Sequence, residues 1–325
     1  MYTVDEVSAL IREGKSLILA GDERTLKKLP KGNWIAGSIP YFLDVDGGKF
    51  TRDHIYVTRV PEFATKSTVK VYSPEGISEV YNDAPQNGFS FIILPAFSSI
   101  HASFALESPT YQNFACSPLI GWISGTALDD LDYAKPKTFD GISASEHQNK
   151  AVVFHVELPA NKAADIQIIN LMEQGDGDII TFPKSGFHAS EALINGEKMD
   201  FASYLNDRDI DTKLPLVADM HGAMINTSFQ AIDVENRRVD FYAPVFDGVT
   251  YKIAKPVEHY VNSFKERVPE GLEESIYFSC NCILNYLYAS LEGKSLKKVT
   301  GPITFGEIAY QLLNQTMVYM TIEDI

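Results

Sequence analysis

Cysteine is scarce in this chain, with three in 325 residues. That is too few for a disulfide framework, and the odd number would leave a thiol unpaired in an oxidising compartment. Long apolar runs are also missing. The longest candidate, Phe89 to Phe97, is interrupted by Ser90 and Pro95, whereas a membrane helix needs roughly 20 apolar residues. The N-terminus, Met1-Tyr2-Thr3-Val4-Asp5-Glu6, places acids where a secretory leader carries Lys or Arg. These absences predict a cytoplasmic protein with no membrane partner. Positive charge is in deficit, 28 Lys and Arg against 43 Asp and Glu, for a net charge of −15. Such a field repels phosphate backbones. The basic pairs Lys27-Lys28, Arg237-Arg238 and Lys297-Lys298 are too short and too scattered to form a binding stripe, so nucleic acid is not expected.

The signatures of common chemistry are absent as well. There is no G-x-S-x-G elbow, P-loop, H-E-x-x-H or spaced G-x-G-x-x-G. Cys280-x-Cys282 has a shorter spacer than zinc sites use, and no further ligands are grouped beside it. Gly175-Asp176-Gly177-Asp178 lacks the Glu that would complete a calcium loop and reads as a hairpin turn. Neither a metal nor a cofactor is expected. No short-period repeat or low-complexity tract is visible, which disfavours solenoids and propellers.

What is present is ample core material: 45% hydrophobic and 22% charged residues, close to globular averages. Thr3 and Glu6 have capping-box spacing ahead of Val4, Val7, Leu10 and Ile11, predicting a helix that stops at Gly14. Short strands follow at 16–21, 33–39, 55–60, 68–72, 89–94 and 118–124, with a helix at 98–107 and a weaker one at 74–81. Residues 126–150 show no period and read as a long loop. Beyond Ala151 strands dominate, at 152–158, 166–171, 179–182, 214–218, 226–234 and 239–243, with a hairpin turn at Asn195-Gly196. Helix returns at 257–264. A strand at 276–279 then leads to a helix at 281–291, and strands at 303–310 and 316–322 close the chain. The expected fold is mixed α/β (α+β), two-lobed, with largely antiparallel central sheets.

Two constellations could carry chemistry. Tyr277-Phe278-Ser279-Cys280-Asn281-Cys282 delivers small polar side chains to a helix start, where backbone N–H groups attract anions. Equally, Ser279 and Asn281 could cap the helix while both cysteines pack inside. Asp219 and His221 would point the same way from an extended strand end. His101 and His188 have no evident partner and read as structural.

The Ser279-Cys280 turn, followed by Gly301-Pro302-Ile303-Thr304-Phe305-Gly306-Glu307-Ile308 and then Leu313-Asn314-Gln315-Thr316, resembles the C-terminal half of FIST domains, sensory modules thought to bind small ligands. Trp34-Ile35-Ala36-Gly37-Ser38 and 214–246 resemble the N-terminal strand and central sheet of that family more loosely. The resemblance implies an N-terminal FIST-like domain over 1–250 and a C-terminal one over 251–325. It also implies binding of a small polar metabolite, with amino acids the first candidates, and no turnover. The implied ligand-binding residues are Ser279, Cys280, Asn281, Phe305, Gly306, Glu307, Asn314 and Thr316, with Glu307 accepting from an amino group. Where the family usually has Gly-Arg after the Ser-Cys turn, this chain has Cys282-Ile283, so either an arginine clamp comes from elsewhere or the ligand is different. The signal would pass to a separate protein. The rival readings are a hydrolase using Asp219 and His221, a thiol enzyme using Cys280, and an interaction scaffold with no ligand.

Overall fold

A computed structural model describes residues 1–220, 222–269, 271, 274–296 and 299–325. The chain forms two compact units: one from 1–169, 265–312 and 317–325, the other from 170–264 and 313–316. Helices and mostly antiparallel sheets give the α+β class that the sequence predicts. The boundary expected at 250 falls inside the second unit.

The first unit uses one strand pattern three times. Its first copy opens with α1 (Val4–Arg12), where the Thr3 hydroxyl accepts from Glu6 N at 3.4 Å and the Glu6 carboxylate accepts from Thr3 N at 2.7 Å. This is the capping box that the spacing predicts. Gly14, at φ +78°, ends that helical run. Val7 and Ile11 of α1 pack on Leu17, Leu19, Trp34 and Ile55. The strands are β1 (Leu17–Gly21), β2 (Trp34–Ser38), β3 (Tyr41–Asp44), β4 (Gly47–Phe50) and β5 (Ile55–Arg59), with α2 (Glu23–Leu26) between the first two. β1 runs parallel to β2 and antiparallel to β5, and Tyr2 bridges Ile55 on the outer side.

The second copy repeats this with β6 (Lys66–Tyr72), β7 (Gly88–Pro95), α3 (Ser99–Glu107), β8 (Leu119–Ser124), β9 (Thr138–Asp140), β10 (Ser145–His147) and β11 (Ala151–Glu157). β7 is parallel to β8 and antiparallel to β11, which takes β6 on its far side. The helix expected at 74–81 is only a 3-10 turn, Ile77–Val80. The segment 126–150, expected to be loop, carries β9 and β10. Those strands are three residues each, too short to show a period. β12 (Lys162–Ile169) begins the third copy.

The second unit then intervenes, with β13 (Ile180–Thr181), β14 (Gly186–Ala189), β15 (Glu191–Ile194), β16 (Glu197–Asp200), α4 (Phe201–Asp207), β17 (Leu216–Met220), β18 (Ala223–Thr227), β19 (Phe229–Asp233), β20 (Arg238–Val245) and β21 (Tyr251–Ile253). Its sheets, β16-β15-β13-β21-β17-β18 and β14-β20-β19, enclose Phe182, Phe201, Phe229, Phe241 and Tyr251. Asn195 and Gly196, both at positive φ, make the expected turn between β15 and β16. The strand expected over 226–234 is broken at Ser228 into two. α4, capped by Asp200 accepting from Ser203 N at 2.8 Å, carried no clear period in the sequence.

After α5 (Tyr260–Arg267) the third copy resumes with β22 (Ile276–Cys282), α6 (Ile283–Tyr288), β23 (Gly301–Thr304), β24 (Glu307–Ala309), β25 (Gln311–Leu313) and β26 (Met317–Asp324). Again the first strand is parallel to the second and antiparallel to the last, and β12 lies outside β26. The strand expected at 303–310 is interrupted at Phe305-Gly306, where Gly306 sits at φ +158°.

In each copy the strand that follows the parallel pair leaves to complete another copy's sheet. β3 pairs with β23, β9 with β2 and β24 with β8, always antiparallel. The orders β10-β9-β2-β1-β5, β25-β24-β8-β7-β11-β6 and β4-β3-β23-β22-β26-β12 are one arrangement closed in a ring of three.

Buried histidines tie this unit to pH. On β11, His155 lies 2.9 Å from the Tyr72 hydroxyl through Nε2 and 2.8 Å from Ser90 Oγ through Nδ1, while Tyr72 donates to Asp83 at 2.8 Å. Because the Tyr72 hydrogen goes to Asp83, Nε2–H donates to Tyr72, and in the neutral ring that burial favours Nδ1 accepts from Ser90. Burial lowers His155 and His101 to about 4 each, and His147 moves the same way. The unfolded chain therefore takes up protons first on acidification. This contribution is complete above the ordinary histidine value and is lost as pH falls towards 4. Between pH 6.5 and 5 the expected loss is about 1.5 kcal/mol for each of His101 and His155. Urea unfolding across that window checks it, and a flat profile refutes it.

Candidate functional site

β1 and β2 end in register at Gly21 and Ser38, so their following loops leave from one edge of the sheet. Such edges are where open α/β sheets receive ligands. β8 is drawn to the same place: Gly125 N donates to Ser38 O at 2.7 Å, and Ser38 Oγ donates to Gly125 O at 2.8 Å. Ser38 Oγ also accepts from Lys137 N at 2.8 Å, fixing the strand that follows. Between these ends lies a cleft of about 300 Å³, lined by Asp22, Arg24, Ser38, Arg52, Thr126, Asp130 and Tyr133 among others.

Its charges are arranged in matched pairs. Asp22, the cap of α2, accepts from Arg24 N and Arg24 Nε at 2.9 Å each and from its Nη2 at 3.3 Å. Arg52 grips both oxygens of Asp130, with Nη2 to Oδ1 at 3.0 Å and Nη1 to Oδ2. The Arg52 Nη1 also lies 3.6 Å from Asp22 Oδ2. Tyr133 donates to Asp130 at 2.6 Å. The Arg52 fork, then Tyr133, holds the Asp130 carboxyl at about 2. At the rim, Glu23 accepts from the largely buried Lys137 at 2.6 Å and also pairs with Lys27. The cleft thus presents two guanidiniums and two aspartates, a lining suited to a ligand carrying both charges or several hydrogen-bonding groups.

At the ends of β7 with β8 and of β22 with β23, the corresponding places carry aromatic rings. Phe97, after β7, faces Phe305, after β23, at 6.1 Å between ring centres, and Tyr41, after β2, lies 5.6 Å from Tyr286 on α6.

The residues singled out from the sequence lie elsewhere, and none of the eight lines this cleft. Ser279, Cys280 and Asn281 are buried within β22. The expected turn is strand: Asn281 pairs with Ile303 on one side and Met317 on the other, so the ladder continues to Cys282 and the helix begins at Ile283. Asn281 Oδ1 accepts from Asn285 Nδ2 at 2.9 Å. Glu307 is wholly buried opposite Trp122, with Thr304 Oγ1 3.4 Å from its Oε1. Gly306 is buried, and the half-buried Phe305 lies so close to Gly125 that a Cβ there would meet the ring at 2.4 Å. Asn314 and Thr316 are buried in the segment that joins the second unit, where Asn314 O accepts from Asn226 Nδ2 at 2.9 Å.

Asp219 Oδ1 accepts from Gly222 N at 2.7 Å, as a turn-capping aspartate does. His221 lies outside the described residues, as do Lys297 and Lys298. Cys280 donates to Gly121 O at 3.5 Å, and its thiol is pushed well up by burial and then by the neighbouring Glu307. The cleft residues escaped sequence reasoning because Gly21-Asp22 and Asp129-Asp130 read as a strand stop and a polar loop. Their signal, charge immediately after a buried strand, needs the parallel pairing to gain meaning.

The first unit is thus a threefold strand-exchange fold with a charged cleft where the ends of β1 and β2 meet the loop after β8. Residues 2–323 match DUF6976, a family of unknown function, and the chain belongs to that family. No curated protein matches the sequence.

The cysteines provide a test of the buried core. Cys116 is exposed, whereas Cys280 and Cys282 are buried. Mass spectrometry after native iodoacetamide treatment is expected to find Cys116 modified first and the other two only after unfolding. Labelling of Cys280 as fast as Cys116 would contradict the buried placement and revive a thiol enzyme.

Proposed function

We propose that the protein binds a small polar metabolite, with amino acids the first candidates, in the cleft between the ends of β1, β2 and β8. The observation that carries this is the pair of Arg–Asp couples, Arg24–Asp22 and Arg52–Asp130, facing one cleft of about 300 Å³. That volume is at the lower end of ligand sites, appropriate to a metabolite of few heavy atoms. The reading keeps the ligand class and sensory role implied by the FIST resemblance and moves the site from the buried Ser279 and Glu307 region to the first copy. Arg24 and Arg52 take the part of the arginine absent after the Ser-Cys turn. The Cys280 thiol, raised by burial, favours binding over thiol catalysis. A sensory module of this kind works in the cytosol and passes its signal to a separate protein.

A thermal-shift screen of amino acids and small carboxylates tests the proposal. A ligand held at 100 times its dissociation constant is expected to add about 2.7 kcal/mol of stability, and Arg52→Gln, if folded by circular dichroism, is expected to lose most of that gain. A screen in which nothing shifts the wild type, or a confirmed ligand that shifts Arg52→Gln equally, rejects this siting.

A further inference from the structure

We infer that Asp130 is the specificity-determining residue of this cleft: an internal carboxylate that occupies the Arg52 fork until a ligand carboxylate replaces it, and that then selects ligands carrying a positive group. The inference rests on the proposed binding role and concerns what the site discriminates.

The two aspartates are held very differently. Asp22 caps α2 and takes three donors from Arg24, so it cannot leave without uncapping the helix. Asp130 ends a single 3-10 turn, Leu128–Asp130, where Leu128 N donates to the Tyr41 hydroxyl; its other backbone bonds, from Asp130 N to Ala127 O and from Tyr133 N and Ala134 N to Asp130 O, are local and move with the segment. Around it Leu131 and Tyr133 are 43% and 76% exposed, so swinging the segment outward uncovers little apolar surface. Arg52, by contrast, keeps two supports if Asp130 departs. Its guanidinium lies 5.3 Å over the Phe50 ring, and Asp22 stands 3.6 Å away. The fork therefore stays in place, aimed at the cleft, while its present partner is the displaceable one.

The exchange sets the selectivity. A ligand carboxylate fits the two-point grip now given to Asp130, the arrangement that planar guanidinium favours. If the ligand is a plain carboxylate, Asp130 loses the guanidinium that grips it in a cleft that Asp22 and Glu23 also line, and that loss opposes binding. If the ligand also bears an ammonium group, Asp130 pairs with it, and every charge in the cleft remains matched. Asp130 thus competes with one class of ligand and assists the other, which is discrimination by a built-in repulsive element. Its hold on Arg52 also lowers the apparent affinity for any carboxylate by the fraction of time the fork is free.

L-alanine and propionate share a carbon skeleton and differ by the ammonium group, so they are the probes. Titrated by protein NMR into the wild type, L-alanine is expected to bind more tightly. In Asp130→Asn propionate should tighten and L-alanine weaken, moving their ratio by about tenfold, as the gain of one partly exposed ion pair and the loss of another would give. A ratio that is unchanged in Asp130→Asn, or both constants moving together, overturns the role of Asp130. Absence of binding by either probe to either protein also overturns it, leaving the wider thermal-shift screen to judge the cleft. Arg52→Gln separates the two claims. If it loses both probes while Asp130→Asn keeps the wild-type ratio, the cleft stands and Asp130 is only structural. If it binds both undiminished, the cleft reading itself falls.

Discussion

The first unit depends on the exchange, between its copies, of the strand that follows each parallel pair. A parallel pair such as β1 and β2 cannot satisfy its own outer edges. β5 covers one edge from the same copy, but the other is covered by β9 from the second copy. The same debt is met for β8 by β24 and for β23 by β3. Every copy therefore supplies an edge that another copy lacks, and no sheet is complete until all three are present. The exchange also brings the loop after β8 to the ends of β1 and β2, because β9 must run back along β2. The polar cleft is a by-product of that closure: two copies meet there, and the ends of β1 and β2 face the charged loop after β8.

Local structure was legible where a few adjacent residues decide it. The Thr3 and Glu6 capping box, the Gly14 stop, the Asn195-Gly196 turn and the largely apolar, wholly buried β7 each follow from backbone or burial preferences acting over less than ten residues. Errors cluster where pairing overrode local preference. Asn281 looked like a helix start, yet neighbours on both sides hold it in a ladder through Cys282. β9 and β10 were hidden because three-residue strands exist only through their partners. The threefold arrangement was invisible for the same reason, since it repeats connections and not residues.

The candidate site was illegible for a related cause. A motif search favours residues that are close in sequence, and the polar stretches 279–282 and 304–307 are close but buried. Asp130 is 78 residues from Arg52 and joins Asp22 and Arg52 through the β8 to β9 return. The buried polar stretches have their own work: Thr304, Glu307, Asn281 and Asn285 give the third copy a hydrogen-bonded interior where apolar side chains alone would leave its packing less uniquely specified.

The pairing of β3 with β23 carries a temporal consequence for a chain made from its N-terminus. β3 ends at Asp44 and β23 begins at Gly301, so the hairpin leaves the ribosome roughly 260 residues before its partner is synthesised. At ordinary elongation rates that interval is on the order of ten to fifty seconds. Through it the hairpin carries an open strand edge of the kind that other chains can pair with, and the ring of the first unit closes only when the residues from 301 onward have been made.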